Sequence, residues 1–184
     1  MTYEMDIAGL KRELPLCRVT DELYIGAFVM FGDVELTVHC AAELLKLAPE
    51  YDYIIAPEAK AIPLLYEMAR QSGAEKYFLA RKGAKAYMTG VFEVEVRSIT
   101  TMHIQKLVID TADAEMIKGK KVLIVDDVIS TGESLHAMEE LVKRAGGIIA
   151  GKMAVLAEGD AKDRDDIITL APLPLFNADG TVKA

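Results

Sequence analysis

Val122-Leu-Ile-Val-Asp126-Asp127-Val-Ile-Ser130-Thr131-Gly132-Glu133-Ser134 is the stretch on which the reading of this chain turns. Lys121–Val125 is a continuous apolar run of the kind buried on both faces of a parallel sheet, so a strand is expected there, ending in two carboxylates. A turn of small residues follows. From Ser134 to Ala145, Leu135, Met138, Leu141, Val142 and Ala145 fall on one stripe of a helix that stops at Gly146-Gly147. The turn offers hydroxyls and free backbone N–H groups at the positive end of the helix dipole, an arrangement suited to a phosphate monoester. Gly132 lets the backbone approach such a ligand closely. Asp126 and Asp127 stand at the carboxyl end of the strand, where open α/β sheets bind ligands. Carboxylates beside a phosphate repel it unless they bind its hydroxyls or a cation. A sugar phosphate with a divalent metal is therefore the economical reading, and a merely polar strand end is its bland alternative.

Working outward, strands and helical periods alternate. Tyr53–Ala56 is a buried strand stopping at Pro57, and Ile62–Ser72 is a helix with Leu64, Leu65, Met68 and Ala69 on its apolar side and Gly73 as its C-cap. Tyr77–Ala80 is a short strand. Phe92–Val96 alternates apolar and charged residues, and Ile104–Ile109 is its expected hairpin partner across Ser98, Thr100 and Thr101. Ile148–Leu156 is the last core strand. This order predicts an α/β fold, a parallel sheet flanked by helices. One domain is expected over 1–184, with an N-terminal extension of about 1–50, a core of about 51–156 and a C-terminal segment of about 157–184.

Composition removes several classes of function. The 184 residues carry 21 Lys and Arg against 29 Asp and Glu, a net charge of −8, which is wrong for a protein that lives on nucleic-acid phosphates or an anionic membrane. The longest apolar run, Tyr24–Phe31, is far short of the roughly 20 residues of a membrane span. Met1–Arg12 carries Glu4 and Asp6 rather than a signal pattern. Cys17 and Cys40 are too few for a disulfide framework, so a cytoplasmic setting is expected. A receiver domain, which also ends a strand in paired acids, places that strand near the start of roughly 120 residues. Only 59 residues follow Val125, so it does not fit. Neither a Walker A loop nor a Gly-x-Gly-x-x-Gly fingerprint occurs.

The Asp126–Ser134 segment resembles the phosphoribosyl pyrophosphate motif of type I phosphoribosyltransferases, an apolar strand, two acids and Thr-Gly-x-Thr/Ser. Pro57-Glu58-Ala59-Lys60-Ala61-Ile62 looks like the pyrophosphate loop of the purine-type members, and Arg81-Lys82-Gly83-Ala84-Lys85 like the basic strand end of the adenine-type ones. Phe31-Gly32-Asp33 is similar to a Phe-x-Asp stretch of adenine-type members. By contrast, Glu95-Val96-Arg97-Ser98-Ile99-Thr100 looks more like the loop of xanthine-type members, with Arg97-Ser98 where adenine-type members carry Glu-Tyr. Ala61 replaces a Gly common in the first loop, where a strained or cis peptide tolerates a Cβ less easily.

The resemblance implies a small hood built from the terminal segments, a flexible catalytic loop at about 93–105 and a homodimer. It further implies transfer of the phosphoribosyl group of phosphoribosyl pyrophosphate to a purine base, adenine foremost, giving a nucleoside monophosphate and pyrophosphate. Asp126 and Asp127 would be the catalytic residues. Ser130, Thr131, Gly132, Glu133 and Ser134 would hold the 5′-phosphate. Glu58, Ala59, Lys60, Arg81, Lys82 and Lys85 would hold the pyrophosphate, with Mg²⁺ carried by the substrate near Asp126 and Asp127. Cations belong where a leaving group gains charge, although any one Lys or Arg alone reads as surface. Two rivals stand beside this reading: a xanthine or 6-oxopurine enzyme, and a non-enzymatic sensor of phosphoribosyl pyrophosphate.

Some residues keep two readings. Glu58 is either a contact to ribose or an adjacent group, or an exposed loop carboxylate. His136 reads as helix surface, and Tyr87 and Met88 either line the base or the subunit contact or, the safer reading, pack in the core. His103 falls in the catalytic loop, and His39 shows no metal-ligand pattern. Leu170–Phe176, a Pro-kinked apolar tail, either covers the base pocket or packs on the core.

Overall fold

The computed structural model describes residues 1–97 and 104–183. Strands β1 (Thr2–Ile7), β2 (Leu10–Arg18) and β3 (Tyr24–Gly26) precede helix α1 (Val34–Leu47). Then come β4 (Tyr53–Pro57), α2 (Ile62–Ser72), β5 (Phe78–Ala80), β6 (Phe92–Arg97), β7 (Ile104–Ile109), α3 (Thr111–Ile117) and β8 (Lys121–Ile129). The chain ends with α4 (Glu133–Arg144), β9 (Ile148–Glu158), a 3-10 turn (Gly159–Asp163), β10 (Ile168–Leu173) and β11 (Leu175–Phe176).

The predicted α/β architecture is borne out. A five-stranded parallel sheet runs in the order β10-β9-β8-β4-β5. Central strand β8 is apolar throughout its first half because both its faces are covered. Leu123 and Val125 pack with Leu36, Leu44, Leu64 and Met68 of α1 and α2. Val122 and Ile124 pack with Leu135, Met138 and Leu141 of α4 and with Ala114 of α3. Helix α2 and its Gly73 C-cap (φ +72°) coincide with the sequence reading; the Gly73 N–H donates to the Ala69 and Arg70 carbonyls. Strands β6 and β7 pair antiparallel from Phe92↔Ile109 to Arg97↔Ile104, as the alternation required.

One expectation changes, and two are made concrete. Strand β8 does not stop at the two acids but runs on to Ile129, because β9 extends beside it and continues the ladder through Val128↔Leu156 and Ile129↔Ala157. Residues 1–50 carry regular structure of their own. They form the antiparallel sheet β1-β2-β3-β11, closed by the chain's own end, together with helix α1. Of the two readings of the apolar tail, packing on the core is the one seen: β10 adds to the parallel sheet beside β9, and Leu173 and Phe176 are buried.

Candidate active site at the carboxyl ends of the parallel strands

Adjacent parallel strands β4 and β8 both open, at their carboxyl ends, into loops that start helices. The two helices begin in the same unusual way. Helices α1 and α3 are capped by aspartates: Asp33 accepts from the Leu36 N–H and Asp110 from the Ala112 N–H. The residues at the N-cap of α2 and α4 are Ala61 and Gly132, and neither helix has a side-chain cap bond. A helix N-terminus presents N–H groups without intrahelical partners and a partial positive charge. Here two such ends stand at the carboxyl end of one sheet without a side-chain cap bond, and the first turn of α4 carries Glu133. Gly132 adopts φ +82°, which a side chain would strain. Ser130, Thr131 and Ser134 are exposed around it.

Between the two helix ends lies the acid pair. Asp127 is 3% exposed, and its backbone N–H donates to Asp126 Oδ1 at 2.8 Å. Lys60, from the β4–α2 loop, brings its Nζ to 2.7 Å from Asp127 Oδ2. That approach supplies charge but is not directed as a hydrogen bond, so the buried Oδ2 receives none. Burial, and next the charge of Asp127, push the Asp126 carboxyl up to about 8, with Lys60 opposing. Glu158, at the end of β9, is also raised by burial and eased by Lys60. One lysine thus serves three carboxylates, an imbalance that suits a ligand bringing hydroxyl groups and cations.

On the β4 side, the peptide between Glu58 and Ala59 is cis, three residues before the start of α2 at Ile62. Glu58 is not an exposed loop carboxylate. It accepts from the Lys82 backbone N–H at 2.7 Å and from Arg81 Nη1 at 3.2 Å. Burial pushes the Glu58 carboxyl up, but the Lys82 N–H, Arg81 and Lys85 outweigh it and hold it below its ordinary value. The strand end is fixed too, since Arg81 and Val108 exchange backbone hydrogen bonds at 2.8 and 2.7 Å. Tyr87 is 67% exposed, which corrects its reading as core; its ring lies 5.8 Å from the Arg81 guanidinium.

The structure therefore joins Lys60 to Asp127, and Glu58 to Arg81, Lys82 and Lys85, while the Ser130–Ser134 turn follows from the same strand as the acids. His136 is on the surface of α4, as expected, and His39 is exposed on α1. Residues 98–103, including Ser98 and His103, lie outside the described residues, and so does the centre of the expected catalytic loop. Sequence reasoning missed Arg164, Asp166, Lys152 and Glu158. The first three form a charged group against α4: Arg164 donates to Asp166, which also takes Lys152, and Lys152 reaches Glu139. Their signal was faint: Glu158, Arg164 and Asp166 follow the last expected core strand and read as solvated loop, and Lys152 is a lone charge within that strand.

Comparison with known proteins agrees with this construction. The family described as "Phosphoribosyl transferase domain" matches residues 39–171. An adenine phosphoribosyltransferase of Petrotoga mobilis is 33% identical over 162 residues, 84% of this chain and 88% of its own length. One of Thermotoga sp. strain RQ2 is 36% identical over 110 residues; this match spans 59% of the chain and 60% of that relative. The solved adenine phosphoribosyltransferase of Thermoanaerobacter pseudethanolicus shares the fold, with a TM-score of 0.64, 23% identity and 94% and 95% of the two chains covered. The chain belongs to the phosphoribosyl transferase domain family. The resemblance to its purine branch, adenine-type members foremost, is borne out.

Proposed function

We propose that this protein transfers the phosphoribosyl group of phosphoribosyl pyrophosphate to a purine base, adenine first, releasing pyrophosphate and forming a nucleoside monophosphate. The observation that carries the reading is the pair of uncapped helix ends, α2 and α4, on either side of Asp126 and Asp127. Such a site fits a sugar bearing anionic groups at both ends. The similarity to adenine phosphoribosyltransferases over most of the chain supports adenine as the base.

In this mechanism the Ser130–Ser134 turn anchors the 5′-phosphate, and that remote binding positions the reacting carbon. Asp126 and Asp127 accept from the ribose hydroxyls and stabilise the positive charge that grows on the ring as pyrophosphate departs. Glu58, Ala59, Lys60, Arg81, Lys82 and Lys85 form the pyrophosphate side. Lys60 and Arg81 rest on Asp127 and Glu58, so each can trade its carboxylate for a phosphate oxygen. The base nitrogen attacks the sugar carbon, the carbon–oxygen bond electrons leave with pyrophosphate, and the base sheds its proton. No protein nucleophile is needed.

Among the described residues no cluster of three or more His, Cys, Asp or Glu side chains stands ready to hold a metal. The undonated Asp127 Oδ2 and the acid surplus around Lys60 nonetheless fit Mg²⁺ held mainly by substrate oxygens, with Asp126 and Asp127 nearby. Such an ion would neutralise the leaving pyrophosphate.

We further read the chain as a single-domain cytoplasmic homodimer acting on small molecules, not on nucleic acid or membrane. No helix among the described residues is long and apolar enough to cross a bilayer.

The test is direct. The purified protein is incubated with phosphoribosyl pyrophosphate and Mg²⁺, and adenine, hypoxanthine, guanine, xanthine and uracil are offered singly, with the nucleotide read by mass. Conversion of adenine is the expected result. Preference for xanthine would give the base choice to the Arg97–Ser98 loop, and no product with any base, in folded protein, would leave a sensor.

A further inference from the structure

The geometry points to Arg164 as a cation of the 5′-phosphate subsite, aimed over the Ser130–Ser134 turn and held there by Asp166; the inference rests on the phosphoribosyl reading above. Arg164 follows the 3-10 turn at the end of β9. Its Nε donates to Asp166 Oδ1 at 2.9 Å and its Nη2 to Asp166 Oδ2 at 2.8 Å, a two-point fork that fixes the plane of the guanidinium. Asp166 is itself braced by Lys152, which donates to Glu139 Oε1 on α4 at 2.8 Å. The third nitrogen, Nη1, is turned to the phosphate turn: a Cβ placed on Gly132 would lie 2.5 Å from it.

The N-terminus of α4 carries the positive end of the helix dipole and has no side-chain cap bond, and its first turn holds the Glu133 carboxylate. Within the bracing group Arg164 and Lys152 are matched by Asp166 and Glu139, and the fork engages Nε and Nη2, which leaves Nη1 beside the turn. A phosphate in the turn would take backbone N–H groups from α4 on one side and Nη1 on the other. Gly132 then has a second reason to be glycine: besides its φ of +82°, it leaves room for the arginine.

Ribose 5-phosphate and pyrophosphate, titrated separately by calorimetry into the unaltered protein, R164Q and R164K, test the assignment. R164Q should bind ribose 5-phosphate about tenfold more weakly or worse, the loss of a hydrogen bond to a charged group, and pyrophosphate within about twofold of normal. R164K should fall between, because an ammonium restores charge without the fork. Unchanged ribose 5-phosphate binding in R164Q, or equal weakening of both ligands, overturns the role of Arg164 and leaves the phosphoribosyl reading intact. Failure of the unaltered protein to bind either ligand overturns both. Should R164Q not melt cooperatively, D166N frees the guanidinium while keeping its charge. It is expected to weaken ribose 5-phosphate alone, and no change in D166N overturns the assignment.

Discussion

At the residue scale, Asp126 and Asp127 set function against stability. Two carboxyls one residue apart, one buried and one half-buried, gain from a ligand and cost stability without one. Asp126 takes up its proton at about 8 in the folded chain, against an ordinary value of 3.8. The folded state therefore holds more protons than the unfolded state across that interval. The contribution of this carboxyl to stability is fully present below about pH 4 and is lost as pH rises toward 8. In chelator at pH 8, Asp126→Asn should melt a few degrees above the unaltered protein, at roughly 2–4 °C per kcal/mol for a chain of this size. Its melting temperature should also change less between pH 4 and 8. Melting curves across that range, with equal slopes in both proteins, would count against the buried-charge account. Turnover should move the opposite way: Asp126→Asn and Asp127→Asn both keep the fold and lose most activity, and near-normal turnover in Asp127→Asn removes that residue from the mechanism.

Helix ends carry the argument at the scale of elements. Two helices are closed by aspartates and two are left open, and the open ones follow the loops on which the sequence had already placed anions. That contrast becomes legible only once the structure places α1 and α3, which the periodicity reading did not assign: Asp33 and Asp110 precede those helices, whereas Ala61 and Gly132 hold those places at α2 and α4. Helix α2, strand β7 and the start of β8 were legible in advance, because each pairs a strong period with a clear stop. The β1–β2 hairpin was not, because its turn is Ala8-Gly9, with φ of +54° and +79°, where Asn-Gly or Asp-Gly would be the usual sign. The extension of β8 past its acids was also hidden, since ladder length is decided by the neighbouring strand. Arg164 was hidden for a third reason: its partner Gly132 is 32 positions away in a chain read by local pattern. Helix C-caps give a control for the functional loops. Gly73 has φ +72° and open space around it, so Gly73→Ala costs only backbone strain, about 1–2 kcal/mol. Its melting temperature should drop by a few degrees with nucleotide formation unchanged, and an equal loss of activity would tie α2's far end to the site.

For the whole molecule, the question is what holds the N-terminal sheet to the parallel one. The chain solves it by returning. Leaving the edge strand β10, it crosses to the other sheet within a few residues, and β11 pairs Leu175 with Ile25 and Phe176 with Tyr24. Phe176 is fully buried, stands 4.9 Å from the Tyr3 ring, and presses against Gly26, where an added Cβ would meet it at 3.5 Å. Lys183 then donates its backbone N–H to the Leu175 carbonyl at 2.7 Å, binding the last residues back onto the clasp. On the other side, Arg12 of β2 reaches Asp33 at 2.7 Å and Glu35 at 2.8 Å, joining the same sheet to α1. Of the two ties, the aromatic one is fully desolvated and the ionic one is partly exposed, so the aromatic one should dominate. Phe176→Ala is accordingly expected to lose about 3–5 kcal/mol in urea unfolding. Limited proteolysis should then cut first between residues 1 and 30, before the parallel sheet is attacked. Phe31→Ala, at a side chain 52% exposed, serves as the matched aromatic truncation and should leave the urea midpoint nearly unmoved. Equal sensitivity of the two variants, or first cleavage within the parallel sheet of Phe176→Ala, would mean that the N-terminal sheet is held by something other than the chain's returning end.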